Sequence, residues 1–396
     1  MKDRVIVGLS GGVDSAVAAL LLKERGWEVH GLFMSNWEED DDGYCTAAQD
    51  FQDARAVARE LAIPLHRASF AAEYRERVFQ HFLAEHRAGR TPNPDVLCNR
   101  EIKFGVALRH ARRLGAARFA TGHYARLLAG PAGAELHKAR DAAKDQSYFL
   151  HAVGIGELAA TLMPIGELEK GAVRERARQA GLPVFDKPDS TGICFVGERP
   201  FREFLGRFLA DRPGAIESTD GERLGTHRGL AFYTLGQREG LQIGGRAGRA
   251  ELPWFVARKD TVRNVLVVVQ GHDHPLLFSS ALTTGRMHWL SAPPGEPFAC
   301  TVKVRYRQAD QPATHEPRAD GTARIEFETP QRAVTPGQYA VLYEGDRCLG
   351  GAVIEGVESS HALRAGPTGF TQANPVQIAA PRADDRLKSF SGRKLI

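Results

Sequence analysis

Residues 4–15, which read RVIVGLSGGVDS, constrain the fold of this chain more than any other stretch. The β-branched residues 5–7 are typical of a buried parallel strand. A glycine-rich turn follows, and residues 16–25 then carry apolar side chains at helical spacing. A strand, a tight turn and a helix in this order aim free backbone N–H groups and a helix N-terminus at one point. The stretch therefore predicts an anion site, with pyrophosphate as the expected anion.

The details of the turn distinguish between kinds of phosphate loop. A G-x-x-x-x-G-K-S/T loop needs a lysine after its last glycine, whereas Val13-Asp14-Ser15 stands here, and the G-x-G-x-x-G spacing is also missing. The run SGGVDS at 10–15 instead resembles the pyrophosphate loop of enzymes that split ATP into AMP and pyrophosphate. The alternative is an ordinary strand–turn–helix junction, with glycines for positive φ and Ser15 as the helix N-cap.

Composition places the chain among ordinary globular proteins. Its 396 residues allow two or three domains, and a net charge of +4 gives no sign of a strongly basic polyanion binder. The five cysteines lie far apart without a C-x-x-C pair, which argues against a disulfide framework and a zinc finger. The first strand begins close to Met1, so we expect no signal peptide, and no long apolar run predicts a membrane span. We expect a cytoplasmic protein that makes no membrane contact.

Strand and helix patterns alternate through the first half of the chain. The predicted strands are 29–34, 63–65 and 119–121, and the predicted helices are 51–61, 74–86, 99–114, 155–162 and 171–180. This rhythm predicts an α/β fold with a doubly wound parallel sheet, in which ligands bind beyond the carboxyl ends of the strands. Met34 ends the second strand and is a candidate for the lining of an adenine pocket, with plain core packing as the alternative.

From about residue 216 the texture changes to many glycines and short alternating runs. The predicted strands there are 265–269, 298–307, 323–328 and 339–343. Short strands separated by turn signals are typical of a small β-barrel. The predicted domains are residues 1–205 with the pyrophosphate loop, 206–275 as a small central domain, 276–358 as the C-terminal β-barrel, and 359–396 as a disordered tail.

Two stretches carry candidate reactive cysteines. In TPNPDVLCN at 91–99, two prolines keep the chain extended, so that Asp95 could cap a helical turn with Cys98 near its N-terminus, where a thiol has a lowered pKa. A capping aspartate and a buried structural cysteine explain the same stretch. Cys194 has apolar neighbours that favour a core cysteine, although the polar loop before it is an unusual lead-in to a core strand. The remaining cysteines are interpreted as two strand residues and one loop residue: Cys300, Cys348 and Cys45.

Seven motifs together closely resemble those of the bacterial tRNA-specific 2-thiouridylase family, over residues 4–358. They are SGGVDS at 10–15, NPDVLCN at 93–99, TGHY at 121–124, KDQSYF at 144–149, TGICF at 191–195, YTLGQR at 233–238 and VRY at 304–306. The first motif is shared by many ATP pyrophosphatases, whereas the two cysteine motifs and the KDQ run make the resemblance specific. The run 130–144 departs from the pattern and predicts a lengthened surface hairpin.

The resemblance implies that sulfur replaces the 2-oxygen of a wobble uridine after ATP has adenylated that oxygen, so that AMP can leave. Cys194 would receive sulfur as a persulfide from an upstream donor protein. Cys98 would be the nucleophile that attacks the persulfide, leaving a Cys98–Cys194 disulfide for a reductant, and Asp95 matches the acid/base residue. Mg²⁺ bridging phosphate oxygens is expected, with no protein ligand identified. The residues implied for ATP are Gly8, Leu9, Ser10, Gly11, Gly12, Val13, Asp14, Ser15, Met34 and Gly122.

The resemblance also implies contacts with RNA. The expected substrates are the tRNAs for glutamate, glutamine and lysine, whose target base must leave the stacked loop to be reached. The residues that match tRNA contacts of the family are Asn93, Pro94, Asp95, His123, Lys144, Asp145, Gln146, Arg305, Tyr306 and Gln338. Arg305 suits phosphate or stacking contacts, and an exposed charge on a strand face is the alternative.

Other functions remain open on the sequence alone. An amidotransferase-like enzyme that adenylates a small nucleotide would explain residues 8–15 but would give no role to Cys98, Cys194 or the barrel. A non-catalytic tRNA-binding or sulfur-carrying protein predicts no pyrophosphate release. A different mechanism for the same function has Asp95, Cys98 and Cys194 ligate an iron–sulfur cluster.

Overall fold

The structure is a computed structural model that describes residues 3–37, 47–131, 133–189, 201–244 and 252–360. Met1–Ser360 form one compact unit. Cys45, Cys194 and the tail predicted to be disordered lie outside the described residues, apart from the last two residues of the barrel edge. Within the described ranges, no helix combines the length and apolar character needed to cross a bilayer.

Strands make up most of the second half of the chain, and helices are concentrated in the first. In chain order the strands are β1 (Arg4–Gly8), β2 (Glu28–Ser35), β3 (Leu65–Ser69), β4 (Arg118–Ala120), β5 (Ala125–Gly130), β6 (Gly133–Lys138), β7 (Thr161–Leu162), β8 (Gly214–Glu217), β9 (Arg223–His227), β10 (Trp254–Asp260), β11 (Val265–Gln270), β12 (Phe278–Thr284), β13 (His288–Trp289), β14 (Phe298–Lys303), β15 (Gln311–Pro317), β16 (Ala323–Arg332), β17 (Tyr339–Glu344) and β18 (Arg347–Ser359). The α-helices span Val13–Glu24, Ala47–Glu60, Ala71–Tyr74, Gln80–Arg87, Pro94–Leu97, Leu108–Arg113, Ser147–Leu150, Ile155–Ala159, Lys170–Gln179 and Phe201–Gly206. The π-helices are Arg75–Phe79 and Cys98–Ala107, and the 3₁₀ turns are Leu230–Phe232 and Pro275–Leu277.

The first half folds around a five-stranded parallel sheet with the order β3-β2-β1-β4-β7. The central strand β1 is fully buried, and its side chains alternate between two apolar clusters. Ile6 packs with the cluster that includes Val96 and Phe104, whereas Val5 and Val7 pack with the cluster that includes Val17. Because each face of the sheet is covered, the prediction of a doubly wound α/β domain is confirmed.

Three predicted boundaries in this half are wrong. The strand predicted at 63–65 is β3, Leu65–Ser69, because β3 lies at the sheet edge, where polar side chains reach solvent and the apolar signal fades. The helix predicted at 155–162 ends at Ala159, and residues 161–162 form β7, which pairs with β4. A window of eight residues is too short for periodicity to separate a helical turn from a buried strand.

The second half contains two further sheets. A four-stranded sheet has the order β10-β11-β8-β9. Strands β12, β16, β15, β14, β17 and β18 pair in this order, and β12 also pairs with β18, which closes the predicted β-barrel. The strand predicted at 298–307 ends at Lys303, because the chain turns there and Arg307 takes a positive φ of 63°. The hairpin β5–β6, where a lengthened hairpin was predicted, joins the barrel sheet through the pairing of His137 with Arg347.

Cys300 and Cys348 lie in barrel strands β14 and β18, as predicted. Burial raises the pKa of both thiols to about 12. A thiol with such a pKa stays protonated at neutral pH and is a poor nucleophile. These two cysteines therefore serve packing.

Candidate active site

The loop between β1 and the helix Val13–Glu24 is closed by a hydroxyl from inside the helix. Ser15 Oγ accepts a hydrogen bond from the N–H of Ser10 at 3.1 Å, lies 3.1 Å from Ser10 Oγ and donates to the carbonyl of Gly12 at 3.1 Å. The helix begins at Val13 with Gly12 in the N-cap position. Ser15 is therefore not the N-cap: it holds the preceding loop in a tight turn around the helix N-terminus.

The loop has no space for larger residues at two glycines. Gly11 has a φ of +80°, and an added Cβ would overlap the carbonyl group of Asp50. A Cβ on Gly122, in the loop after β4, would lie 2.6 Å from Ser15 N and 2.7 Å from Asp14 C. A Cβ on Gly8 would lie 3.4 Å from Met34 Cε, so that Met34 flanks the start of the loop. The residues predicted for ATP thus converge at the carboxyl ends of three neighbouring strands.

A chain of alternating charges runs outward from Asp14 in the first turn of this helix. Lys170 Nζ donates to both carboxylate oxygens of Asp14, at 2.7 and 2.8 Å, and lies 2.7 Å from Asp189 Oδ1. Asp189 Oδ2 in turn accepts from Lys144 Nζ at 2.8 Å, and the Tyr124 hydroxyl donates to Asp14 at 2.8 Å. Burial raises the pKa of Asp189, but the hydrogen bonds and charges of Lys144 and Lys170 outweigh it and lower the pKa to about 2. Sequence reasoning missed Lys170 and Asp189, since no motif links them to the loop.

We expect Lys170→Met to lower the free energy of unfolding by about 2 kcal/mol, because two partly buried carboxylates would then face each other without their shared cation. Urea denaturation at pH 7 measures this. The matched control is Arg176→Met on the same helix, whose pair with Glu24 is exposed and should contribute less than about 0.5 kcal/mol.

The same ion pairs predict a pH signature. Because the pKa of Asp189 is depressed, its stabilisation is present above the unfolded value near 3.9 and is lost as the pH falls toward 2. Wild-type stability should therefore fall between about pH 4 and pH 2, and Lys170→Met should show a shallower fall. Equal slopes, or equal losses for the two variants at pH 7, would contradict this account.

A second lysine fixes the loop from the other side. Lys187 Nζ donates to the carbonyl of Gly11 at 3.1 Å, to Asp50 Oδ1 at 2.7 Å and to Asp53 Oδ2 at 2.5 Å. Asp50 and Asp53 come from the helix Ala47–Glu60. The loop is therefore held by two helices and by the segment that ends at Asp189.

The turn that carries Asp95 and Cys98 is capped by a different residue from the one predicted. Asn93 is the N-cap, its side-chain oxygen accepts from the N–H of Asp95 at 3.2 Å, and Pro94 occupies the first helical turn. The Asp95 carboxyl group does not cap the helix, and burial raises its pKa although the charge of Lys103 opposes the shift. Cys98 lies one turn further on and is only 1% exposed.

His123 approaches this turn from the loop after β4. Its Nδ1 lies 2.8 Å from Thr121 Oγ1, and its Nε2 lies 3.4 Å from Lys103 Nζ. Burial first, and the charge of Lys103 second, hold the pKa of His123 well below its ordinary value. The structure thus gathers Asp95, Lys103 and His123 around one buried turn, and Lys103 is a member that sequence reasoning missed.

The KDQ run is engaged by the chain itself in this structure. Asp145 Oδ1 accepts from the N–H groups of Ala139 and Ser147, both at 3.1 Å, and Gln146 Oε1 accepts from the N–H of Tyr124 at 2.9 Å. Lys144 is paired with Asp189, as described above. These bonds fix the path of residues 144–147 next to the nucleotide loop.

The barrel reaches the candidate site through two loops. Gln338 Nε2 donates to the carbonyl of Thr91 at 2.7 Å, just before the Asn93 cap. The Tyr306 ring lies 4.4 Å from that of Phe149. Arg305 lies in the turn after β14, partly buried, and donates to the carbonyl of Ala333. The alternative of an exposed charge on a strand face is therefore wrong for Arg305.

A metal site built from protein side chains is not evident in the part of the chain that the structure describes. No group of three histidine, cysteine or acidic residues there is arranged to hold an ion. The expected magnesium ion therefore has no protein ligand set among these residues.

Comparison with known proteins identifies related chains over nearly the whole length. Family models match a tRNA methyl transferase HUP domain at residues 3–198, a tRNA methyl transferase PRC-barrel domain at 202–270 and an aminomethyltransferase β-barrel domain at 279–354. The tRNA-specific 2-thiouridylase MnmA of Methylibium petroleiphilum is 55% identical over 388 residues, covering 89% of this chain and 98% of that protein. Proteins of the same name from Stutzerimonas stutzeri (57%, covering 90% and 96%) and Burkholderia thailandensis (52%, covering 97% and 100%) are similar over comparable lengths. This chain therefore belongs to the tRNA-specific 2-thiouridylase family.

Proposed function

We propose that this protein is a tRNA-uridine 2-sulfurtransferase that uses ATP to activate the 2-oxygen of the wobble uridine. The observation that carries the proposal is the convergence of two sites at one sheet edge. The loop 8–15 offers N–H groups and a helix N-terminus for pyrophosphate, and the neighbouring loop after β4 carries both Gly122 and His123. Adenylation and sulfur transfer then take place on one bound base.

The first half-reaction activates a poor leaving group. The 2-oxygen attacks the α-phosphorus of ATP, pyrophosphate leaves against the loop, and the carbon then carries an AMP ester that departs readily. Mg²⁺ would be held by phosphate oxygens, since the described residues offer no ligand set for it. Asn93, Pro94, His123, Lys144, Arg305, Tyr306 and Gln338 are proposed to contact the RNA.

The second half-reaction transfers sulfur between two cysteines. A persulfide on Cys194, supplied by a donor protein, attacks the activated carbon through its terminal sulfur, and AMP leaves. The Cys98 thiolate then attacks Cys194 Sγ, so that the sulfur–sulfur bond breaks and its electron pair stays with the 2-thio group. A Cys98–Cys194 disulfide results, and a dithiol reductant reopens it. Asp95 is proposed to move the proton at Cys98.

The deciding experiment is thiolation of unmodified tRNAs for glutamate, glutamine and lysine with ATP, Mg²⁺ and sulfide. Thiolated RNA is retarded on a mercury-containing gel, and we expect an ATP-dependent retarded band. ATP consumption without a retarded band for any tRNA would overturn the substrate assignment. Active protein that is colourless and free of iron after anaerobic purification would exclude the iron–sulfur mechanism.

A further inference from the structure

The helix that carries the candidate nucleophile is wound unusually around one lysine. Residues Cys98–Ala107 form a π-helix, a winding that occurs mostly in short pieces and often at functional sites. Its i→i+5 hydrogen bonding places Lys103 one turn beyond Cys98 on the same face. Helical side chains lean toward the N-terminus, so the Lys103 stem points back toward Asp95 and Cys98.

The contact between Lys103 and His123 fixes the imidazole tautomer. An ammonium group only donates hydrogen bonds, so His123 Nε2, at 3.4 Å from Lys103 Nζ, must be the acceptor. The ring proton then lies on Nδ1, which donates to Thr121 Oγ1 at 2.8 Å. His123 is 8% exposed, and burial together with the Lys103 charge keeps its pKa far below the ordinary value.

The charge of Lys103 also acts on Asp95. Burial raises the pKa of this carboxyl group, and Lys103 opposes the shift. The turn Pro94–Leu97 packs against Arg75–Phe79 and Ser147–Leu150. The ionisable groups on these two elements are Arg75, Glu76 and Arg77, which are exposed, and Tyr148, whose pKa burial raises.

We propose that Lys103 is a positioning residue for sulfur transfer, whose ammonium group keeps Asp95 a carboxylate and His123 a neutral imidazole with its proton on Nδ1. The proposal rests on the proposed function for its kinetic consequence. A buried acid/base residue can accept a proton only when it is ionised, and burial alone favours the protonated form. Lys103 supplies the compensating charge from within the same helix.

The kinetic test compares pH profiles of single-turnover thiolation for Lys103→Met, Lys103→Arg and wild type. Without the cation, the pKa of Asp95 rises further, so the acidic limb of the Lys103→Met profile should move up by about one pH unit. The variant should be about tenfold slower at the acidic end and should converge with wild type at high pH. Lys103→Arg should restore the wild-type limb. The matched control Arg109→Met removes an exposed cation from the same helical stretch and should leave the profile unchanged.

A loss of rate in Lys103→Met that is equal at every pH would overturn the proposal, because it would show a structural role only. A second measurement needs neither this variant nor thiolation. Protein with ¹⁵N-labelled histidine, assigned with His123→Gln, should show His123 Nε2 unprotonated and Nδ1 protonated from pH 5 to pH 8. A His123 that titrates in this range, or carries its proton on Nε2, would overturn the proposal even if the thiolation substrate proves to be different.

Discussion

Cys98→Ser is expected to reduce tRNA thiolation by at least about three orders of magnitude, whereas tRNA-dependent release of pyrophosphate continues. Cys98 lies in the turn that Asn93 caps, beside Asp95 and one π-helical turn before Lys103. A serine hydroxyl has nearly the same size but cannot attack a persulfide sulfur at neutral pH. Retardation on mercury gels measures thiolation, and a coupled phosphate assay measures pyrophosphate.

The matched control for this prediction is Cys300→Ser. Cys300 is a half-buried thiol in barrel strand β14, and its raised pKa makes it a poor nucleophile. Its replacement should leave both activities within about twofold of wild type. If Cys98→Ser retained a tenth of the wild-type thiolation rate, Cys98 would not be the nucleophile.

Gly11→Ala is expected to weaken ATP binding at least tenfold and to lower the free energy of unfolding by about 3 kcal/mol. Two effects add at this position. The residue has a φ of +80°, which strains any side chain, and the new Cβ would overlap the backbone of Asp50, whose Cα lies 3.1 Å away. Because the loop is held between two helices, it cannot move aside without losing its turn. Calorimetry with a non-hydrolysable ATP analogue and urea denaturation provide the two measurements.

Gly26→Ala separates these two effects. Gly26 has a φ of +86°, but nothing lies within 4 Å of its added Cβ. It should lose only the strain, about 1 kcal/mol, with unchanged ATP binding. Equal effects of the two substitutions on ATP binding would show that the contact with Asp50 does not shape the loop.

The nucleotide loop and the sheet order were predictable because both depend on local sequence. The strand, glycine turn and helix of residues 4–24 are contiguous, so periodicity and glycine content specify them without tertiary information. The barrel was predictable for a similar reason, since its strands alternate clearly. The pattern fails at β3 and β7, where strands are short or lie at an edge and tertiary pairing decides.

The ion pairs and the cap were not predictable. Asp14, Lys144, Lys170 and Asp189 are distant in sequence, and charged residues at a surface have no periodicity that would pair them. At the cap, Asn93 and Asp95 are both good candidates for an N-cap. Only the position of Pro94 in the first turn, which the fold fixes, decides for Asn93.

The contact of the barrel with the loop before Asn93 has a consequence during protein synthesis. Thr91 donates its N–H to the carbonyl of Pro336 and accepts from Gln338, which is translated 247 positions after it. The first sheet can fold while the ribosome is still elongating the chain. The cap that orders Asp95 and Cys98 loses these supports until the barrel emerges, so a nascent chain carries its nucleotide loop before its cysteine turn is anchored. A truncated product released early would therefore be able to hold ATP but not to modify RNA.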